Sequence, residues 1–254
     1  MTRERSIRTE GVILRHSNFG EADRLLTVFT RQLGKVRVIA KGVRKAKSRK
    51  AGHVQPFSRA QMQLARGRDL WILTQAEASE VYPALRGDLV LLGYASYVIE
   101  LLDRFTYEEG EHRALFDLLT RTLTRLNRGD PPEFAVRYYE MRLLDQVGFR
   151  PRLFACAQCG AEIQPEDQYF SASQGGVLCP RCGIDESQSR PIHVDALKYL
   201  RHFQRSSYSE ARRAQIPPAV AGEMEALMQY YLTYNLERGL NSAAFLRRMR
   251  AEGQ

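Results

Sequence analysis

Residues 25–41 read LLTVFTRQLGKVRVIAK. Leu25 to Thr30 is rich in Leu, Val, Phe and Thr, and Thr30 to Gly34 is a turn; Val36, Val38 and Ala40 then alternate with Arg37, Ile39 and Lys41. A period of two marks a strand with one buried face. It predicts Val36, Val38 and Ala40 inside and Arg37 and Lys41 on the opposite face, with Lys35 at the entrance. Working outward, Gly11 to Arg15 carries Val12, Ile13 and Leu14, while Gln61 to Ala65 and Leu70 to Thr74 read as a hairpin around Gly67 and Asp69. About five short strands in some eighty residues fit a small closed barrel of the OB type.

After Pro83 the period changes from two to 3.6. Tyr94, Val98, Leu101, Leu102 and Phe105 share one helical face, as do Leu115, Leu118, Leu119, Thr122 and Leu123, and Phe134, Tyr138 and Met141 follow Pro131 and Pro132 at a helix start. Helical spacing resumes at Val194 to Gln204 and at Met224, Leu227, Met228, Tyr231 and Asn235. The expected fold is α+β and multi-domain: a five-stranded OB-type β-barrel at 1–82, then an α-helical domain at 83–150 and 188–254. A four-cysteine zinc module at 151–187 is inserted in it.

The net charge of +9 is unevenly spread. Between Asp23 and Asp69 there are thirteen Lys and Arg and no Asp or Glu, so the rest of the chain carries −4, the total less thirteen. Half of the sixteen residues from Lys35 to Lys50 are basic: Lys35, Arg37, Lys41, Arg44, Lys45, Lys47, Arg49 and Lys50. A patch of this kind can neutralise a run of phosphates without reading base identity. A merely solvated loop would mix signs. An anionic membrane surface ranks lower, because no Leu, Phe or Trp is interleaved. Aromatics that could stack on bases are Phe19, Phe29, Phe57 and Trp71, with Phe57, beside Pro56, the best placed; each is also a natural packing residue of a small barrel.

The four cysteines stand as CAQC and CPRC, Cys156, Cys159, Cys179 and Cys182, nineteen residues apart. Two such knuckles supply four thiolates to one tetrahedral zinc ion and leave no position for a reactive water, which makes the metal structural. Gly160 and Gly183 follow the second cysteine of each pair, where positive φ is expected. The intervening loop holds Glu162, Glu166 and Asp167 and no Lys or Arg, so it repels phosphate and reads as a folding clip or a protein-docking surface. A second basic group comprises Lys198, Arg201, His202 and Arg205, on one helical face, with Arg212, Arg213, Arg238, Arg247, Arg248 and Arg250 beyond. It is either a solvated surface or a further contact for nucleic acid or an acidic peptide.

Enzyme signatures are missing. Lys47 stands where a phosphate-binding loop needs its second glycine, no HExxH or GxSxG occurs, and no carboxylate lies in the basic interval to hold a nuclease metal. No run of about 18 apolar residues or signal core is present, so a cytoplasmic protein without a membrane partner is expected, and DNA binding would make it nucleoid-associated.

EGVILRHSNFGEADRLLTVFTRQLGKVRVIAKGVRK at 10–45 resembles the opening of the RecO recombination mediators. The likeness continues through the helical middle, the CxxC, YFS…GGVLC from Tyr169 to Cys179 and the closing NSAAFLRRM. The resemblance implies an OB fold, a helical domain with a zinc module, binding of single- and double-stranded DNA, and annealing of complementary strands. It also implies partnership with RecR and with the acidic C-terminal tail of single-strand-binding protein, and, indirectly, loading of RecA. DNA contacts carry over best to Lys35, Arg37, Lys41 and Arg44. Some relatives lack the cysteines, in keeping with a structural metal, and no short motif places the tail site. The competing reading is an RNA- or transcription-associated OB/zinc adaptor, and a third is a metal nuclease.

Overall fold

The computed structural model describes residues 6–107, 110–237 and 239–252, the last helix without the side chains of 247 and 250–252. Five strands, β1 (Ser6–Phe19), β2 (Asp23–Thr30), β3 (Gly34–Ala40), β4 (Arg59–Arg66) and β5 (Trp71–Glu80), close into a barrel in the order β1-β2-β3-β5-β4. β1 serves two neighbours. Its first half pairs with β4 from Ser6↔Ala65 to Val12↔Arg59, and its second with β2 from Gly11↔Thr30 to Phe19↔Asp23, across an irregularity between Ile13 and Arg15. A bulge of this sort bends a strand and raises its twist, as closure of a small barrel requires. The seam is a parallel contact between β3 and β5 at only Val38↔Trp71 and Ile39↔Ile72.

The alternation in β3 is realised. Val36, Val38 and Ala40 are buried in a core with Ile13, Leu26, Val28, Met62, Leu64 and Leu73, while Arg37 and Lys41 are exposed. β5 runs to Glu80, well past Thr74, because its second half pairs with β4 as far as Arg59↔Glu80.

Helices follow: α1 (Pro83–Gly87), α2 (Leu89–Phe105), α3 (Arg113–Asn127), α4 (Pro132–Gln146), α5 (Pro180–Ile184), α6 (Val194–Arg205), α7 (Tyr208–Ala211), α8 (Pro218–Leu236) and α9 (Asn241–Glu252). Asp88 caps α2, its carboxylate accepting from the Val90 and Leu91 N–H groups. A small sheet, β7-β6-β8, is formed by β6 (Gln168–Ser171), β7 (Gly176–Leu178) and β8 (Arg190–Ile192).

The described residues form two compact units, one up to Pro132 together with those from Ser242 onward, the other Glu133–Asn241. The dividing line falls inside the helical stretch because the barrel is tied to α2 and α3. Lys35 pairs with Asp103 on α2, Arg31 with Asp117 on α3, and Gly34, at φ +65, leaves no room for a Cβ beside the Gly110 carbonyl. α9 joins this unit, since Glu100 on α2 accepts from the Ser242 N–H at 2.8 Å. In the other unit, Phe170 of β6 meets the Tyr231 ring edge-on at 5.3 Å, and the Tyr231 hydroxyl donates to the Phe149 carbonyl.

Candidate nucleic-acid interface and metal site

The basic interval is built from β3, the turns after it and the β4–β5 connection. The segment from Lys41 to Lys50 is a chain of tight turns. The Gly42 N–H donates to the Asp23 carboxylate at 2.7 Å, the Lys45 N–H to the Gly42 carbonyl, and the Ser48 N–H to the Lys45 carbonyl. Arg44, Lys45, Lys47 and Arg49 are exposed on it, beside Arg37 and Lys41. Arg66 and Arg68 are exposed at the β4–β5 turn.

The cations of the interval do not all face solvent. The Lys35 side chain is 12% exposed, with its ammonium 3.0 Å from the Asp103 carboxylate and donating to the Asp103 carbonyl. Arg31 pairs with Asp117 at 3.3 Å, and Arg59 holds Glu10 through two hydrogen bonds of 2.7 and 2.9 Å. Lys50 is half-buried and donates to the Leu73 carbonyl. Carboxylates missing from residues 24–68 are therefore supplied from β1, α2 and α3. Arg24 is half-buried, and what remains outward is Arg37, Lys41, Arg44, Lys45, Lys47, Arg49, Arg66 and Arg68.

The aromatic expectations sort differently. Phe29 is fully buried, Phe57 is half-buried at φ 68 with its N–H bound to the Ile13 carbonyl, and Phe19 is half-exposed at the end of β1. Trp71, at the barrel seam, is the aromatic that borders exposed arginines, with the Arg66 guanidinium 5.5 Å from its ring centre.

On α6 the second basic group is divided as well. The Arg201 Nε donates to the Leu153 carbonyl at 2.7 Å, and the Arg205 guanidinium lies 3.6 Å from the centre of the Phe154 ring. Lys198 is exposed and His202 bonds Ser206. Arg201 therefore clips α6 onto the segment leading to the first cysteine, while Arg205 lies over Phe154 and stays exposed. Arg238 and the side chains of Arg247 and Arg250 lie outside the described residues.

The four cysteine sulfurs lie within 4.8 Å of one another, and those of Cys159 and Cys179 are 3.9 Å apart. Four sulfurs at about 2.3 Å from a tetrahedral zinc ion would be about 3.8 Å apart, so the donor set fits. The first pair sits on a turn in which the Gly160 N–H donates to the Cys156 carbonyl, with Gly160 at φ +75. The second opens α5, where the Cys182 and Gly183 N–H groups donate to the Cys179 carbonyl. Gly183 does not take the expected positive φ; it is required because a Cβ there would lie 2.3 Å from the Tyr169 ring. Burial opposes ionisation of Cys156, yet the Cys159, Cys179 and Gln158 backbone N–H groups hold its thiol down at about 6. The Cys182 thiol is pushed up, first by its hydrogen bond with Cys179 and then by burial. Four sulfurs this close cannot all ionise without a cation among them, and these residues could hold one.

No described helix is long and apolar enough to cross a membrane. Residues 1–82 match the family profile described as Recombination protein O N terminal, and residues 86–244 that described as Recombination protein O C terminal. The chain is 42% identical over 244 residues to the DNA repair protein RecO of Roseiflexus sp. (strain RS-1), covering 96% of this chain and 86% of that one. It is 39% identical over 242 residues to the protein of the same name from Desulforudis audaxviator (strain MP104C), covering 95% and 96%. Against that of Dehalococcoides mccartyi (strain CBDB1) it is 34% identical over 238 residues, covering 94% of each.

Proposed function

The chain belongs to the RecO family of DNA repair proteins, and from that premise we propose that it is a non-enzymatic recombination mediator. It binds single- and double-stranded DNA and anneals complementary strands, and with RecR it helps to load RecA onto DNA coated by single-strand-binding protein, whose acidic tail it also engages. The observation that carries this reading is the outward set Arg37, Lys41, Arg44, Lys45, Lys47 and Arg49 on β3 and the turns after it. Bringing two strands together opposes two phosphate backbones, and cations held on one rigid surface screen that repulsion while base pairing supplies the driving energy. No nucleotide hydrolysis is needed. Lys198 and Arg205 offer a second contact; Lys35, Lys50 and Arg201 are held by their own partners and serve the scaffold.

Cys156, Cys159, Cys179 and Cys182 hold one Zn2+ ion. The ion neutralises the thiolates and fastens the first turn to α5; a full set of four thiolates gives it a structural role.

The test is annealing of complementary oligonucleotides without ATP or magnesium, over a salt series. Salt-sensitive annealing is expected, and a strict need for ATP would overturn the reading. Competition by RNA as effective as that by single-stranded DNA would favour an RNA-associated adaptor, and cleavage on adding magnesium a nuclease.

A further inference from the structure

We propose that the gap between β3 and the β4–β5 turn is a nucleotide subsite in which an unpaired base stacks on Trp71 while Arg37, Arg66 and Arg68 hold its flanking phosphates. This rests on the DNA-binding reading above and adds to it a means of telling single strands from duplex.

The gap follows from how the barrel closes. β3 and β5 pair only at Val38↔Trp71 and Ile39↔Ile72. Ahead of that seam, Lys35 to Arg37 and Arg66 to Leu70 therefore face one another without a ladder and line a shallow groove of about 80 Å³. A groove of this size exposes a ring edge and three guanidinium groups for contact rather than enclosing a ligand. Arg37, Arg66 and Arg68 are exposed there, against one carboxylate in the lining, Asp69.

Trp71 is half-buried, with one part of its ring packed against the barrel core. A second groove shares Val36, Arg66 and Trp71 with the first and continues towards Gln32 and Gly110, so the indole stands where the two meet. The second groove includes Glu111, which repels phosphate and leaves the arginine side for the backbone. The Arg66 guanidinium stands over the indole, 5.5 Å from its centre, so an incoming base takes its place on the ring and the displaced arginine is free to lie on the base's other face or to reach its phosphate. A base within a duplex has both faces covered by its neighbours, so only an unpaired one can be received here.

Trp71 is the only tryptophan in the chain, which makes the unaltered protein its own reporter. Three probes of about 15 nucleotides are titrated: oligothymidylate, an abasic deoxyribose-phosphate strand, and a blunt duplex. Binding of each is followed by anisotropy and Trp71 by its emission. Strong quenching by oligothymidylate alone, with all three bound, is expected. Binding of oligothymidylate without quenching, or equal quenching by the abasic strand, overturns the subsite and leaves the DNA reading standing. Failure of every probe to bind overturns both. As a second measure, Trp71→Ala should weaken oligothymidylate binding by about tenfold with duplex binding unchanged, and Trp71→Phe should restore most of it.

Discussion

Lys35 of β3 places its ammonium 3.0 Å from the carboxylate of Asp103, sixty-eight residues away on α2, and also donates to the Asp103 carbonyl. The residue that opens the basic stretch is thus a tie between barrel and helix. Two positions on, Arg37 points outward.

Lys35→Ala should accordingly act on stability and Arg37→Ala on DNA. Removing Lys35 leaves a half-buried carboxylate that, among the described residues, has Arg15 at 3.6 Å to answer it, a cost of about 1 kcal/mol. Urea melts should shift while the dependence of log K on log salt keeps its slope. Arg37→Ala should leave the melt within about 0.5 kcal/mol and reduce the slope by about one. A flattened slope for Lys35→Ala would mean that the pair with Asp103 opens on DNA.

His16 of β1 gives the barrel an acid-sensitive point. Burial lowers its pKa below 6.5, the Arg24 charge adds to that, and a hydrogen bond with the Val54 backbone opposes both. The unfolded chain therefore binds the proton first as pH falls. The stability this group contributes is complete above about pH 6.5 and declines below it towards the folded-state value. Urea midpoints at about pH 7.5 and about pH 5 should separate more for the native protein than for His16→Gln. Equal separations would remove His16 as the source.

Much of this architecture is legible in sequence where a pattern is local. The alternation of Val36, Val38 and Ala40 marks β3, and the spacing of Tyr94, Val98 and Leu101 marks α2, because each period records one buried face. The far half of β5 is not legible: Glu77, Ser79 and Glu80 carry no apolar signal, and the strand persists there through its ladder with β4. The partners of Lys35, Arg31 and Arg59 come from distant segments, so charge counting along residues 24–68 overstates how much cation reaches solvent. Phe57 is adjacent to basic residues in sequence, whereas Trp71 is adjacent to them in space through the β3–β5 seam.

On α6 the same distinction separates Lys198 from Arg201. Arg201→Ala deletes the hydrogen bond to the Leu153 carbonyl, and Leu153 is buried, so a loss of about 1–3 kcal/mol is expected with the salt slope unchanged. Lys198→Ala should leave the melt in place and lower the slope by about one. An unaltered slope for Lys198→Ala, and again for Lys198→Ala with Arg205→Ala, would confine DNA to the barrel unit.

Cys156→Ser tests the metal and its role together. Cys156 is buried, and its sulfur accepts from the Cys179 N–H at 3.4 Å, so the residue links both turns of the cluster. Zinc content should fall from one ion per chain to none, and residues 133–241 should lose thermal stability on the order of 10 °C or more, since thiolate binding is coupled to folding. Trp71 lies in the other unit and reports the barrel separately. Its unfolding transition should move far less than the loss of helix seen by circular dichroism. Retained zinc with an unchanged melt would overturn both the ligand set and the structural role of the metal, and a Trp71 transition lowered equally would make the two units a single cooperative body.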